Sequence, residues 1–165
     1  RDKTGAVGAR LWYPDDRLQH AGVVVGIRGL AGHVMKMLPK GSPGYRGRAL
    51  SVQNYSALTA ACLAVRKSVF ESIDGFDEVN LAVAFNDVDF CLRLVEAGYD
   101  NVWTPYAELY HHESATRGAE DTPEKQQRFQ REVHYMLKRW ASVLPHDPAY
   151  NRNLTRVTEG FHLAW

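Results

Sequence analysis

The stretch Ala84–Gly98, AFNDVDFCLRLVEAG, decides how this chain is read. Val88, Cys91, Leu92 and Val95 fall at i, i+3, i+4 and i+7, which predicts a helix over Asp87–Ala97 with one buried face. Asn86 is the expected N-cap. Asp87 and Asp89 fall in the first turn, where the helix dipole favours negative charge, and Gly98 is a natural stop. Two carboxylates at a helix mouth allow two readings. The plain one pairs Asp89 with Arg93 at i+4 and leaves Asp87 to assist the cap. The chemical one points Asp87 into a cleft as a general base that accepts a proton from an attacking hydroxyl.

The flanking sequence predicts a layered α/β unit. Upstream, Ala9–Tyr13 reads as a strand, Pro14–Arg17 as a turn and Leu18–Gly26 as the returning strand of a hairpin. Ile27–Gly47, rich in Gly, Pro and Lys and carrying His33, reads as a long, mobile loop of the functional kind. Tyr55–Val65 leads into a buried strand, ACLAV. Arg66–Ile73 forms a short helix, and Asp74–Glu78 a turn. Downstream, Asn101–Thr104 and Ala107–Tyr110 read as strands on either side of Pro105, with a polar loop over His111–Asp121. Thr122 as N-cap and Pro123 at the first helical position start a long helix. Its apolar stripe is Phe129, Val133, Met136, Leu137 and Trp140. Residues 1–145 form the domain, and 146–165 a polar tail without a recognisable pattern.

Composition bounds the function. With 165 residues, 45% of them hydrophobic and 24% charged, the chain can bury one core. A net charge of +1 with seven histidines leaves no nucleic-acid footprint. No apolar run approaches the roughly 20 residues of a membrane span, and no signal-peptide pattern is read. Cys62 and Cys91 lie in apolar segments and read as buried free thiols suited to a reducing cytosol, ahead of a disulfide.

His111-His112-Glu113 follows a strand, so the two imidazoles should face opposite ways and only one can join a site. A histidine at a strand end can serve as a metal ligand, although a lone one is more often structural. Glu113 and Arg117 read as surface groups, with Arg117 also suited to an anionic diphosphate.

Several ordered motifs together resemble the C-terminal half of a family 2 glycosyltransferase of the GT-A fold. They are Ala60–Lys67 (AACLAVRK), Phe70–Glu78 (FESIDGFDE), Phe85–Leu94 (FNDVDFCLRL), Gly98-Tyr99, and Pro105–Ser114 (PYAELYHHES), spanning roughly Gly8–Gly118. Asp74 stands where that family commonly has glycine. The resemblance implies a mixed sheet with flanking helices and a bacterial enzyme of cell-surface polysaccharide synthesis. Such an enzyme transfers a sugar from a nucleotide-diphospho-sugar to a glycan or lipid-linked acceptor hydroxyl, with inversion. Asp87 resembles the catalytic base. His111, with His112 as the alternative, resembles a ligand of the metal–diphosphate group. Thr59, Ala60, Cys62, Asp89 and His33 are implied on the acceptor side, and Arg117 at the diphosphate. The implied cofactor is Mg²⁺ or Mn²⁺, given oxygen ligands.

The family's N-terminal half, with its nucleotide-binding βαβ units and an Asp-x-Asp metal motif, has no counterpart in these residues. Asp87-Val88-Asp89 has the letters of that motif, but on a helix. The chain is therefore expected to be the acceptor side of an active site, inactive by itself. Its expected location is the cytoplasm, with the inner membrane face as an option for the parent protein. Two other readings stand beside this one: a non-catalytic carbohydrate-binding or interaction module, and a metal-dependent hydrolase built on Asp87, Asp89, His111 and His112.

Overall fold

A computed structural model describes residues 2–112 and 122–164. It is a mixed α/β fold organised around β1 (Thr4–Trp12), nearly all of whose side chains are buried. The other strands are β2 (Leu18–His20), β3 (Val23–Val25), β4 (Ala31–His33), β5 (Gln53–Asn54), β6 (Leu63–Val65) and β7 (Asp100–Tyr110). The helices are α1 (Lys67–Ser72), α2 (Asn86–Glu96) and α3 (Pro123–Arg139). The main sheet runs β2-β1-β7-β5, with β6 also pairing β1. β1 and β7 are parallel, and the other pairings are antiparallel. β2 meets β1 at Leu11 and Trp12, and β6 meets it at Ala6–Gly8, so both share one edge of the central strand.

The helix on which the sequence reading turned forms over Asn86–Glu96, with Val88, Cys91 and Leu92 buried. Its start differs from expectation. Phe85, in the left-handed region at φ 61°, is the N-cap, and Asn86 is already helical. The end is as read: Gly98 takes φ +86° and Tyr99 N–H returns to the Leu94 carbonyl at 2.9 Å.

Four further expectations change. The returning hairpin strand stops at His20 because Gly22 turns the chain at φ +109°. A Cβ there would lie 2.1 Å from the Tyr55 ring, so close packing requires glycine. Val23–Val25 then pairs β4 in a second, two-stranded sheet. The 27–47 segment is anchored by buried Ile27, Leu30, Val34 and Met35, not left as a free loop. ACLAV becomes a short turn and an edge strand with Ala64 exposed. The strands around Pro105 are one strand, whose register against β1 jumps from Thr104 to Glu108 because proline cannot donate to the ladder.

Residues 146–164 pack onto the core. Tyr150, Leu154 and Phe161 are buried in it. The buried Asp147 carboxylate accepts from Ser56 Oγ at 2.6 Å, Val25 N–H at 2.7 Å and Ala149 N–H at 2.7 Å. Burial pushes its pKa up, against those hydrogen bonds. Both cysteines are free, but only Cys91 is fully buried; Cys62 is half-buried. Desolvation pushes the Cys91 thiol pKa up, so it stays protonated. No helix among the described residues is long and apolar enough to cross a membrane.

Candidate active site

A small cavity of about 110 Å³ opens where the ends of β1, β2 and β7 meet β4 and the turn before β6. Its lining includes Gln19, His33, Lys36, Thr59, Ala61 and His111. Expected site residues from three distant parts of the chain thus converge: His33, Thr59 and His111. Ala60, between two lining residues, donates its N–H to Asp87 Oδ2 at 3.0 Å. That bond ties the half-buried Asp87 to the cavity wall from the first turn of α2. Cys62, also expected here, ends the same turn and is half-buried.

A further histidine packs behind the cavity wall. His20 is fully buried, and its Nδ1 lies 3.2 Å from His33 Nδ1. Burial drives the His20 pKa well below the ordinary imidazole range, and the neighbouring His33 adds to the effect. The His33 pKa is also lowered, chiefly by desolvation, with the Asp87 carboxylate pulling the other way. His111 is half-buried, with Nδ1 2.9 Å from Gln19 Oε1, while His112 is exposed. Just past the end of β7 the two imidazoles differ in exposure, and it is His111 that lines the cavity.

Asp89 lies elsewhere. It is 1% exposed, and its Oδ2 accepts from Arg93 Nε at 2.7 Å. Its Oδ1 accepts from Arg139 Nε at 3.0 Å and Trp140 Nε1 at 2.9 Å. The i+4 pairing with Arg93 is therefore present, extended by two partners from α3 and the residue after it. With both oxygens occupied, Asp89 does not meet the cavity. Arg117 and Glu113 lie outside the described residues.

Among the described residues no three His, Cys, Asp or Glu side chains come together to hold a metal ion. Asp87, Asp89, His111 and His112 form no such group.

Three supporting residues were missed in the sequence. Glu132 of α3 is buried, and its two oxygens accept from Val83 N–H at 3.1 Å and Ala84 N–H at 2.9 Å, clamping the segment that delivers Phe85 and α2. A signal existed: Glu132 falls within the apolar stripe between Phe129 and Met136. Asn101, buried on β7, donates to the Ser56 carbonyl at 3.1 Å and the Cys91 carbonyl at 2.9 Å, joining sheet, cavity wall and α2. Gln19 is the third, and no local pattern marks it.

The chain is 54% identical over 99% of its length to the uncharacterized protein y4gI of Sinorhizobium fredii. It is 40% identical over 94% of its length to the O-antigen biosynthesis protein RfbC of Myxococcus xanthus. Over 37% of its length it is 41% identical to an N-acetylglucosaminyl-diphospho-decaprenol L-rhamnosyltransferase of Mycobacterium tuberculosis. The similarity is to glycosyltransferase-like proteins. The chain spans only 18%, 12% and 20% of those relatives, respectively. No protein-family model matches it.

Proposed function

We propose that this chain is the acceptor-side, catalytic-base portion of a GT-A, family 2-type inverting glycosyltransferase acting in cell-surface polysaccharide synthesis. The observation that carries the reading is the tether of Asp87 to Ala60 N–H, at the wall of a cavity lined by His33, Thr59 and His111. The RfbC and rhamnosyltransferase relatives support the reaction class.

In this reading an acceptor hydroxyl enters beside Thr59, Ala60 and Cys62. Asp87 takes its proton as the hydroxyl oxygen attacks the anomeric carbon of a nucleotide-diphospho-sugar. The new C–O bond forms as the bond to the diphosphate breaks on the opposite face, and the nucleoside diphosphate departs with the electron pair. Configuration inverts in this single displacement. The donor and a glycan or lipid-linked acceptor are the proposed partners, and the cytoplasm or the inner membrane face is the proposed location. Arg117 is proposed at the diphosphate. A divalent cation, Mg²⁺ or Mn²⁺, is the proposed cofactor of the complete enzyme.

Because the chain covers under a quarter of each relative, we place the complete reaction in a longer polypeptide and expect no measurable transfer from these residues alone. The test is Asp87→Asn in the gene's full-length product. Transfer should fall by about 10²–10⁴-fold, the usual contribution of a positioned base, with donor binding retained. Near-normal turnover would overturn the assignment.

A further inference from the structure

We propose that Gln19 is a positioning residue, whose buried side chain holds His111 in the tautomer with its proton on Nδ1 and a free lone pair on Nε2. Gln19 is 4% exposed on β2, and its Oε1 lies 2.9 Å from His111 Nδ1. An amide oxygen carries only lone pairs, so the ring nitrogen facing it must bear the hydrogen. The amide cannot be flipped without loss, because its NH₂ group donates to the His111 main-chain carbonyl at 3.4 Å. His111 N–H in turn donates to the Trp12 carbonyl at 2.9 Å. His111 is thus tied to β1 through its main chain and to β2 through its ring, and Nε2 is the nitrogen left for a ligand.

The same residue meets the second imidazole of the cavity: the Gln19 main-chain oxygen lies 3.1 Å from His33 Nδ1. Free imidazole side chains favour the opposite tautomer, with the proton on Nε2. The protein therefore holds His111 against its intrinsic preference, and the second-sphere contact decides what the ring offers. A ring with a lone pair on Nε2 accepts a hydrogen bond from a neutral hydroxyl. A cavity of about 110 Å³ admits the hydroxyl-bearing edge of one sugar ring, not a whole saccharide. That use of the lone pair rests on the transferase reading; the tautomer does not.

Long-range ¹H–¹⁵N correlation spectra of the intact chain at pH 8 test the assignment. The expected wild-type pattern has His111 protonated on Nδ1 and unprotonated on Nε2. Gln19→Met keeps the volume and removes the amide. It should shift the tautomer ratio about fivefold towards Nε2–H, the worth of one hydrogen bond, with the His20 and His33 resonances retained as a check on folding. Gln19→Glu, which keeps an acceptor oxygen at Oε1, should restore Nδ1–H. An Nε2–H ring in the wild type, or an unchanged ratio in Gln19→Met, overturns the proposal. Should Gln19→Met fail to fold, the wild-type and Gln19→Glu spectra decide it, and Nε2–H in either overturns it. Because the readout is not transfer, failure here is distinct from failure of Asp87 as the base.

Discussion

Asp87 and Asp89 are two residues apart in one helical turn, carry the same carboxylate, and meet opposite surroundings. Asp87 is half-buried and accepts Ala60 N–H at the cavity wall, with no cation bonded to it among the described residues. Asp89 is sealed between α2 and α3, and accepts from two guanidinium groups and an indole. A two-residue step rotates the side chain about 200° around a helix, so the difference comes from what packs against each face. Asp87 is the residue proposed for chemistry, whereas Asp89 joins the two helices and, through Arg93, the carbonyls of Ile73 and Gly75.

The sharpest way to break this comparison is to remove Asp89. Asp89→Ala leaves Arg93 and Trp140 with unanswered donors in a buried setting and should cost about 3 kcal/mol in chemical denaturation, as broken buried pairs do. A loss below about 1 kcal/mol would mean that Asp89 is an ordinary surface-type pair. Glu132→Gln comes next. It replaces one charged acceptor facing a main-chain N–H with a donor, and should cost about 2 kcal/mol. It should also increase amide exchange at Val83 and Ala84, and unchanged protection there would remove Glu132 as the clamp on α2's start.

The cavity side has its own pH signature. His20 and His33 have folded pKa values below the ordinary one, principally from burial. The unfolded chain takes up those protons below about pH 6.5, whereas the folded chain resists them. Stability is therefore fully present above that pH and falls as pH drops towards the folded values. By pH 5.5 the loss should reach about 1–2 kcal/mol. His20→Gln should flatten the thermal-midpoint profile between pH 7.5 and 5.5, and a slope unaltered by that change would locate the titration elsewhere. The smallest expected effect is Asp87→Asn on stability, about 1 kcal/mol, since the amide oxygen can still accept Ala60 N–H and only the bond from Val88 N–H to Oδ1 is lost. A cost equal to that of Asp89→Ala would erase the distinction between the two faces.

Much of the fold was legible because it is local. The α2 stripe, its stop at Gly98 and the Thr122–Pro123 start of α3 follow from spacing and backbone preference within a few residues. The start of α2 was not legible. Glu132, dozens of residues away, clamps Val83 and Ala84 and so moves the cap from Asn86 to Phe85. The split of the returning hairpin strand depends on the Tyr55 ring packing over Gly22. The polar look of residues 146–164 concealed Asp147, whose partners Ser56 and Val25 are distant in sequence.

By itself, the sequence determined the periodic elements, the pairing of Asp89 with Arg93 and the candidates Asp87, His33, Thr59 and His111, since each rests on short-range spacing or a run of motifs. Only the tertiary structure decided which candidates share a cavity, that Asp89 stands apart, and that Gln19 faces both His33 and His111. The physical reason is range: helix stripes and caps are set within one or two turns, whereas a cavity wall is assembled by buried polar groups that must find partners wherever the fold brings them.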